Sequence, residues 1–197
     1  MTDEWRTDTP YGPDPSWARM GLTKVLAAGE SPADQEHPYA TIGVRTSLPG
    51  LRTICDEVAT NHGMSYSQFT RLALKHAVSL LGADERLLLV RDALGTLRTA
   101  AMDSGNSAAL RRLDELHPFE FLESQERRTT YSCILKVTGF LSDQARVCGI
   151  PQARLAVIAL CISMLTLPNE RKYRDLLERE VGHFWDVMNR REQALMV

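Results

Sequence analysis

Two segments of the chain begin with alternating apolar and polar residues and continue with apolar residues at helical spacing. In the first, alternation from Tyr39 to Ser47 places two sets of side chains on opposite faces of a strand: Ala40, Ile42, Val44 and Thr46 against Thr41, Gly43, Arg45 and Ser47. A short helix after Pro49 ends at His62-Gly63, and Ser65 or Ser67 can cap a second helix. Residues 39–82 therefore predict a strand, a helix, a glycine turn and a helix.

The second segment, residues 128–167, repeats this order. Alternation over Thr129–Val137 predicts a strand with Thr130, Ser132, Ile134 and Lys136 on one face and Tyr131, Cys133, Leu135 and Val137 on the other. A short helix closes at Gly149, and an apolar helix follows Pro151. The predicted strand ends, Leu48 and Val137, lie 89 positions apart, but the turn glycines lie 86 apart. This difference predicts a first helix about three residues shorter in the second segment.

The rest of the chain divides into three parts. Residues 1–38 are punctuated by prolines and predict a flexible N-terminal arm, or an arm whose tryptophans dock on the body. Residues 83–127 predict a helical connector, and residues 168–197 predict a C-terminal helix that could contact another copy or a partner protein. His62 and His76 are interpreted as surface or capping residues because no acidic partner is near them in the sequence.

A unit of about 43 residues seldom folds alone, so the first segment needs a partner. The obvious solution is a second strand antiparallel to the first, within one chain or between two, above a shared core of four helices. The expected fold class is therefore mostly α, with a short two-stranded antiparallel β-ribbon. The two units would form a pseudo-twofold domain with extra helices.

A two-stranded ribbon fits the major groove of B-DNA, where alternate side chains meet base edges. The outward positions must then be short, polar or cationic. Thr41, Gly43 and Arg45 meet that requirement with a hydroxyl, a close backbone approach and a forked guanidinium. On the second strand the corresponding candidates for base contacts are Thr130, Ser132 and Lys136.

These residues resemble the ribbon-helix-helix superfamily of Arc and MetJ type, which reads DNA with a β-ribbon. The resemblance covers Ile42-Gly43-Val44-Arg45, Leu48-Pro49, Gly63-Met64-Ser65-Tyr66-Ser67 and Arg71-Leu72-Ala73-Leu74. In that family the N-terminus of the second helix sits on a DNA phosphate, as the free N–H groups and the helix dipole favour. The resemblance therefore implies phosphate contacts by Ser65, Tyr66 and Ser67. One departure is a strand that runs two residues further before its Leu-Pro.

The second segment resembles the family less closely. Lys136-Val137 and Gly149-Ile150 match, but Pro151 and Ala153 replace the two serines. Proline is acceptable at a helix start, yet we expect it to remove one phosphate-facing N–H. Arg128, directly before the predicted strand, is a further candidate phosphate contact.

The charged residues are distributed unevenly along the chain. The net charge of the chain is −2, but residues 39–82 carry four basic and two acidic groups, and residues 128–167 carry four basic groups and one acidic group. The other three parts are acidic or balanced. A positive excess confined to the two patterned segments favours a local DNA-binding face.

Other functional classes have little support in the sequence. Four cysteines without metal-ligand spacing are interpreted as reduced, buried thiols of a cytoplasmic protein, with no metal or cofactor. No apolar run reaches membrane-spanning length, and no catalytic motif occurs, so no enzyme is expected. The expected function is sequence-specific binding of duplex DNA, in transcriptional regulation or as an accessory factor in plasmid transfer, conjugation or partition. The alternative is an antitoxin-like or scaffold module that keeps the fold without DNA binding.

Overall fold

The computed structural model describes residues 15–30, 39–44, 51–115, 129–168 and 171–195. Within these ranges the fold is mostly helical, which confirms the mostly-α part of the predicted class. The elements in chain order are α1 (Pro15–Ala18), α2 (Leu22–Ala28), β1 (Tyr39–Val44), α3 (Leu51–Asn61), α4 (Tyr66–Ala83), α5 (Glu85–Asp103), α6 (Ser107–Glu115), β2 (Thr129–Ile134), α7 (Leu135–Cys148), α8 (Gln152–Leu165) and α9 (Arg171–Leu195).

Strands β1 and β2 pair antiparallel, in a register that sets Thr41 opposite Ser132 and Gly43 opposite Thr130. One face of this pair belongs to the core: Ile42, Val44 and Tyr131 are all buried. Because successive side chains of a strand point to opposite faces, Thr41 lies on the other face, and it is exposed. The alternation read in the sequence thus matches the burial of the first strand.

The core beneath the strands is built around α4 and α8, which pack against each other. Helix α4 also packs on β2, and α8 packs on β1. Each strand therefore lies on the second helix of the other strand–helix–helix segment, where the first segment is β1, α3 and α4 and the second is β2, α7 and α8. Helix α8 is buried on almost every side, as expected for a helix without a polar face.

The predicted end of the second strand is wrong. Strand β2 stops at Ile134 and α7 begins at Leu135, so Lys136 and Val137 are helical. Alternation over three residues cannot distinguish a strand from the first turn of a helix, and Val137 is buried in either case.

The predicted shortening of the first helix is also wrong. Helix α7 has 14 residues, whereas α3 has 11. The connection is shorter instead: residues 45–50 lie between β1 and α3, whereas β2 runs directly into α7.

The N-terminal part is not a flexible arm where the structure describes it. Residues 15–30 form α1 and α2, which pack on α4, and Leu22, Val25 and Leu26 are buried. The Leu22 N–H donates to Thr166 Oγ1 at 2.9 Å, which ties this segment to the end of α8. The expected docking of a tryptophan is observed for Trp17, which lies under the Lys75 ammonium, 4.5 Å from the ring centroid. Trp5 lies outside the described residues.

His76 is a core residue and not a surface or capping histidine. Its Nε2 lies 2.7 Å from the Met20 carbonyl oxygen, and its Nδ1 lies 2.8 Å from Ser163 Oγ. Because a carbonyl only accepts, Nε2 carries the proton, and Nδ1 accepts from the serine hydroxyl. Burial lowers the pKa of this imidazole, so it is neutral at pH 7. His62, in the turn after α3, is exposed as expected.

Candidate nucleic-acid interface

The outer face of the β1–β2 pair contains Thr41 and Gly43, two of the predicted base contacts. Thr41 is exposed, Gly43 is half-buried, and the register places positions 132 and 130 opposite them. Lys136 does not belong to this face, because it lies in the first turn of α7. Arg45 and Arg128 lie outside the described residues.

The N-terminus of α4 is open to solvent and capped by Ser65. The Gln68 N–H donates to Ser65 Oγ at 3.3 Å, and Ser65 has the extended backbone of a capping residue, with φ −75° and ψ 155°. Ser65 and Ser67 are both exposed. The first N–H groups of a helix have no partner within the helix, so this end can accept an anion.

Tyr66, at the same end, is held in the protein. Its ring stacks on that of Tyr131, with centroids 6.0 Å apart. Its hydroxyl is buried and has no hydrogen-bond partner among the described residues, and burial raises its pKa. The hydroxyl is therefore unavailable to a phosphate in this conformation, and a phosphate contact by Tyr66 would use its backbone N–H in the first turn of α4.

Arg52 is the cation that the sequence interpretation overlooked at this end. Its guanidinium carbon lies 3.7 Å from the centroid of the Tyr66 ring, and its Nε donates to Asp56 at 3.0 Å. The hydrogen bond to Asp56 raises the arginine pKa, and 53% of the side chain is exposed. Arg52 follows the first buried residue of α3, and that position alone could have suggested a solvent-facing cation beside the glycine turn.

The N-terminus of α8 is different. Pro151 is its N-cap and makes no side-chain cap, so the first-turn N–H groups belong to Gln152 and the residues after it. As an N-cap without an N–H, Pro151 leaves this end one donor fewer than the α4 end, and it also supplies no side-chain acceptor. Arg154, in the same turn, pairs with Glu180 of α9 at 2.8 Å, and only 11% and 14% of the two side chains are exposed.

The local positive charge of the two segments is largely matched by carboxylates. Arg71 makes two hydrogen bonds to the Glu30 carboxylate, one of them at 2.9 Å, and Lys75 is buried against Trp17. Arg146 pairs with Asp143 at 3.4 Å on the surface. Among the described residues, carboxylates from other parts of the chain therefore offset part of the charge excess read along the sequence. The acidic partner of Arg71 comes from the N-terminal part, far away in the chain.

Metal, reactive-thiol and membrane sites find no support in the part of the chain that the structure describes. No group of three or more histidine, cysteine or acidic residues there could hold a metal ion. Cys55 is buried, which raises the pKa of its thiol to about 12. No single described helix is both long and apolar enough to cross a membrane; α7 and α8, bent by 113°, reach that length and hydropathy only when taken together.

Comparison of the chain with protein-family models, with curated proteins and with solved structures gives no match. The functional interpretation therefore depends on the geometry and chemistry of this chain's own residues. Its central feature is the two-stranded sheet that has one face on the core and Thr41 exposed on the other.

Proposed function

We propose that the chain binds duplex DNA by inserting the β1–β2 ribbon into the major groove. It would act as a transcriptional regulator or as an accessory factor in plasmid or mobile-element DNA transfer or partition. The observation that carries the proposal is the antiparallel pairing of β1 and β2, with a buried inner face and an exposed outer position at Thr41. A ribbon of this kind is one of the few protein elements that fit the major groove.

We further propose that the two strand–helix–helix segments are tandem ribbon-helix-helix units related by a pseudo-twofold axis. Gly63 and Gly149 both have positive φ, at 68° and 62°, and lie 86 positions apart. The same separation relates the residues that begin α4 and α8, Tyr66 and Gln152. It also relates buried residues of the second helices: Phe69 and Leu155, Leu72 and Ile158, and Leu74 and Leu160.

The end of each first helix supports the same relation. The Met64 N–H donates to the Ala59 carbonyl at 3.0 Å, and the Ile150 N–H donates to the Ala145 carbonyl at 2.8 Å. Each is the wider of the two backbone hydrogen bonds that close a glycine C-cap. At this cap the chain reverses and enters the second helix. A shared turn geometry together with a shared burial pattern favours repeated units over a coincidence of elements.

In this proposal different residues supply specificity and affinity. Thr41, with Arg45 just beyond the described end of β1, would meet base edges. The α4 end, with exposed Ser65 and Ser67, would hold a phosphate beside the Arg52 guanidinium. Phosphate contacts release counterions, so the affinity must fall steeply with salt.

The test is a gel-shift titration of the full chain on duplex DNA at several salt concentrations. We expect Arg45→Ala to lose roughly 1–3 kcal/mol at particular base positions. Arg52→Gln should weaken binding to all sequences alike and reduce the salt slope by about one. Arg146→Gln is the matched control, because Arg146 is an exposed, ion-paired arginine on the first helix of the other segment.

Binding that is absent, or that does not respond to salt, would refute the proposal. Equal losses for Arg52→Gln and Arg146→Gln would retain DNA binding but remove the assignment of Arg52 to a specific phosphate.

A second function is favoured by a different observation. Helix α5 exposes Leu89 and Met102, at 63% and 68%, whereas the apolar residues Leu177, Phe184 and Met188 of α9 are buried within the chain. A protein-interaction module without DNA binding would use α5, and α9 would offer a partner only its polar side. Pull-down with and without nuclease separates the two functions, because a direct protein partner survives the loss of DNA.

A further inference from the structure

A cavity of about 400 Å³ opens to solvent where the C-terminal end of α4 turns into α5. Helices α1, α8 and α9 form its other walls. Its volume falls within the range of small-molecule sites, which are mostly apolar with a few placed polar groups. The lining has the same character: its side chains are mostly apolar, and its charged residues are Asp84 and Arg86.

The apolar side chains around this cavity are only half-buried. In the second half of α8 the neighbouring residues are buried, but Ile162 and Leu165 remain partly exposed, and both line the cavity. Leu80 of α4 and Val181 of α9 are half-buried at the same place. A ligand that covers this surface gains free energy in proportion to the apolar area that it removes from water.

The charged residues of the cavity offer donors more readily than acceptors. Both oxygens of Asp84 are engaged, Oδ1 by the Arg86 and Leu87 N–H groups at 3.0 and 3.3 Å, and Oδ2 by Arg86 Nη2 at 3.3 Å. The Arg86 guanidinium lies on the Trp185 ring, 3.8 Å from its centroid, and 58% of the side chain is exposed. A carboxylate matches the fork of a guanidinium and makes charge-assisted hydrogen bonds with it.

From this geometry we infer that the cavity binds a small amphipathic carboxylate, with its apolar body against α8 and α9 and its head group on Arg86. Leu81, which also lines the cavity, lies 15 residues after Tyr66, roughly 22 Å along the α4 axis. The site is therefore remote from the α4 end proposed to hold DNA. It goes beyond the proposed function, and neither proposal fails with the other.

The direct test is calorimetric titration of the unmodified full chain with octanoate, octanol and octylamine, which share one alkyl chain and differ in their head groups. We expect saturable binding of octanoate at one site, weaker binding of octanol and the weakest binding of octylamine. Octanoate should also change the tryptophan emission, and Trp185→Phe should remove that change. Absence of octanoate binding would overturn the inference. Octanol or octylamine binding as tightly as octanoate would overturn the anionic head group.

A variant pair tests the role of Arg86. Arg86→Met removes the guanidinium and should weaken octanoate binding roughly tenfold or more, while octanol binding stays unchanged. Arg174→Met is the matched control, because Arg174 is an exposed arginine paired with Glu178 and does not line the cavity. Equal losses of octanoate binding in the two variants would overturn the assignment of the head group to Arg86.

Val181→Phe tests where the apolar body lies. The larger ring should fill part of the cavity and weaken the binding of octanoate and octanol alike. Undiminished binding in a chain that retains its helical circular dichroism would overturn the location. If this variant does not fold, the Trp185 emission decides. Emission that changes with protein concentration and not with octanoate would assign the cavity to a second copy of the chain and overturn the inference.

Discussion

The two strand–helix–helix segments agree in their interiors and differ at the ends of their second helices. Phe69 and Leu155 are both fully buried at corresponding positions, yet α4 begins with an exposed serine cap and α8 with a proline that caps nothing. Close packing constrains the interior, since a change of even one methylene is felt there. Helix ends on the surface are free of that constraint. The comparison teaches that the two segments have similar buried interiors, while the chemistry at the ends of their second helices differs.

The difference also extends to the flanking parts of the chain. The N-terminal part supplies Glu30 to Arg71 in the middle of α4, and the C-terminal helix supplies Glu180 to Arg154 at the start of α8. Both carboxylates pair with a mostly buried arginine, but only Arg154 lies in the first turn of its helix. The start of α8 therefore lies beside an internal ion pair, whereas the start of α4 keeps two exposed serines.

The largest expected effect comes from truncating a buried side chain in each segment. The same variants test whether the two segments fold independently. Phe69→Ala should lower the free energy of unfolding by roughly 3–5 kcal/mol, and Leu155→Ala by roughly 2–5 kcal/mol, through lost burial and a cavity. Because α4 and α8 share one core, each variant should still unfold in a single transition. Urea unfolding followed by circular dichroism and by tryptophan fluorescence measures this. Two separate transitions would show that the segments are independent domains.

A smaller effect on stability is expected from breaking the ion pair at the start of α8. Arg154→Met leaves Glu180 mostly buried without its partner and should cost about 3 kcal/mol. In the control, Arg146→Met, the ion pair with Asp143 has 64% of each side chain exposed, so the cost should be below about 1 kcal/mol. Chemical denaturation at neutral pH and moderate salt compares the two. Equal costs would mean that the Arg154–Glu180 pair does not hold α9 on α8.

The smallest expected effect is a change of stability with pH near neutrality. It comes from a position where the first segment has a polar residue and the second has an apolar one. His76 corresponds to Ile162, and burial lowers the His76 pKa below its ordinary 6.5. The unfolded chain then binds a proton more readily than the folded one. The contribution of neutral His76 to the free energy of unfolding should be fully present above pH 6.5. It should decline as the pH falls below that value.

Thermal unfolding from pH 7.5 to 5 measures this decline. His76→Gln should flatten the pH dependence, and the same substitution at the exposed His62 serves as the control. A decline that persists unchanged in His76→Gln would assign the effect to other groups.

Much of the scaffold could be read from periodicity. The bounds of α3 followed from helical spacing and Gly63, and the cap of α4 was narrowed to Ser65 or Ser67, because these signals act over a few neighbouring residues. The end of β2 could not be read in this way, since Leu135 to Val137 suit a strand and a helix equally. Nor could the role of Arg52, whose contact with Tyr66 joins two helices across a turn.

By itself, the sequence determined where most of the helices and the first strand form and which faces they bury, because alternation and helical spacing are local consequences of backbone geometry. Only the tertiary structure decided which charges remain available. Glu30 meets Arg71 from 41 positions away, and Glu180 meets Arg154 from 26 positions away. Charges counted along a segment cannot anticipate such partners, since electrostatic pairing depends on distance in space and on burial.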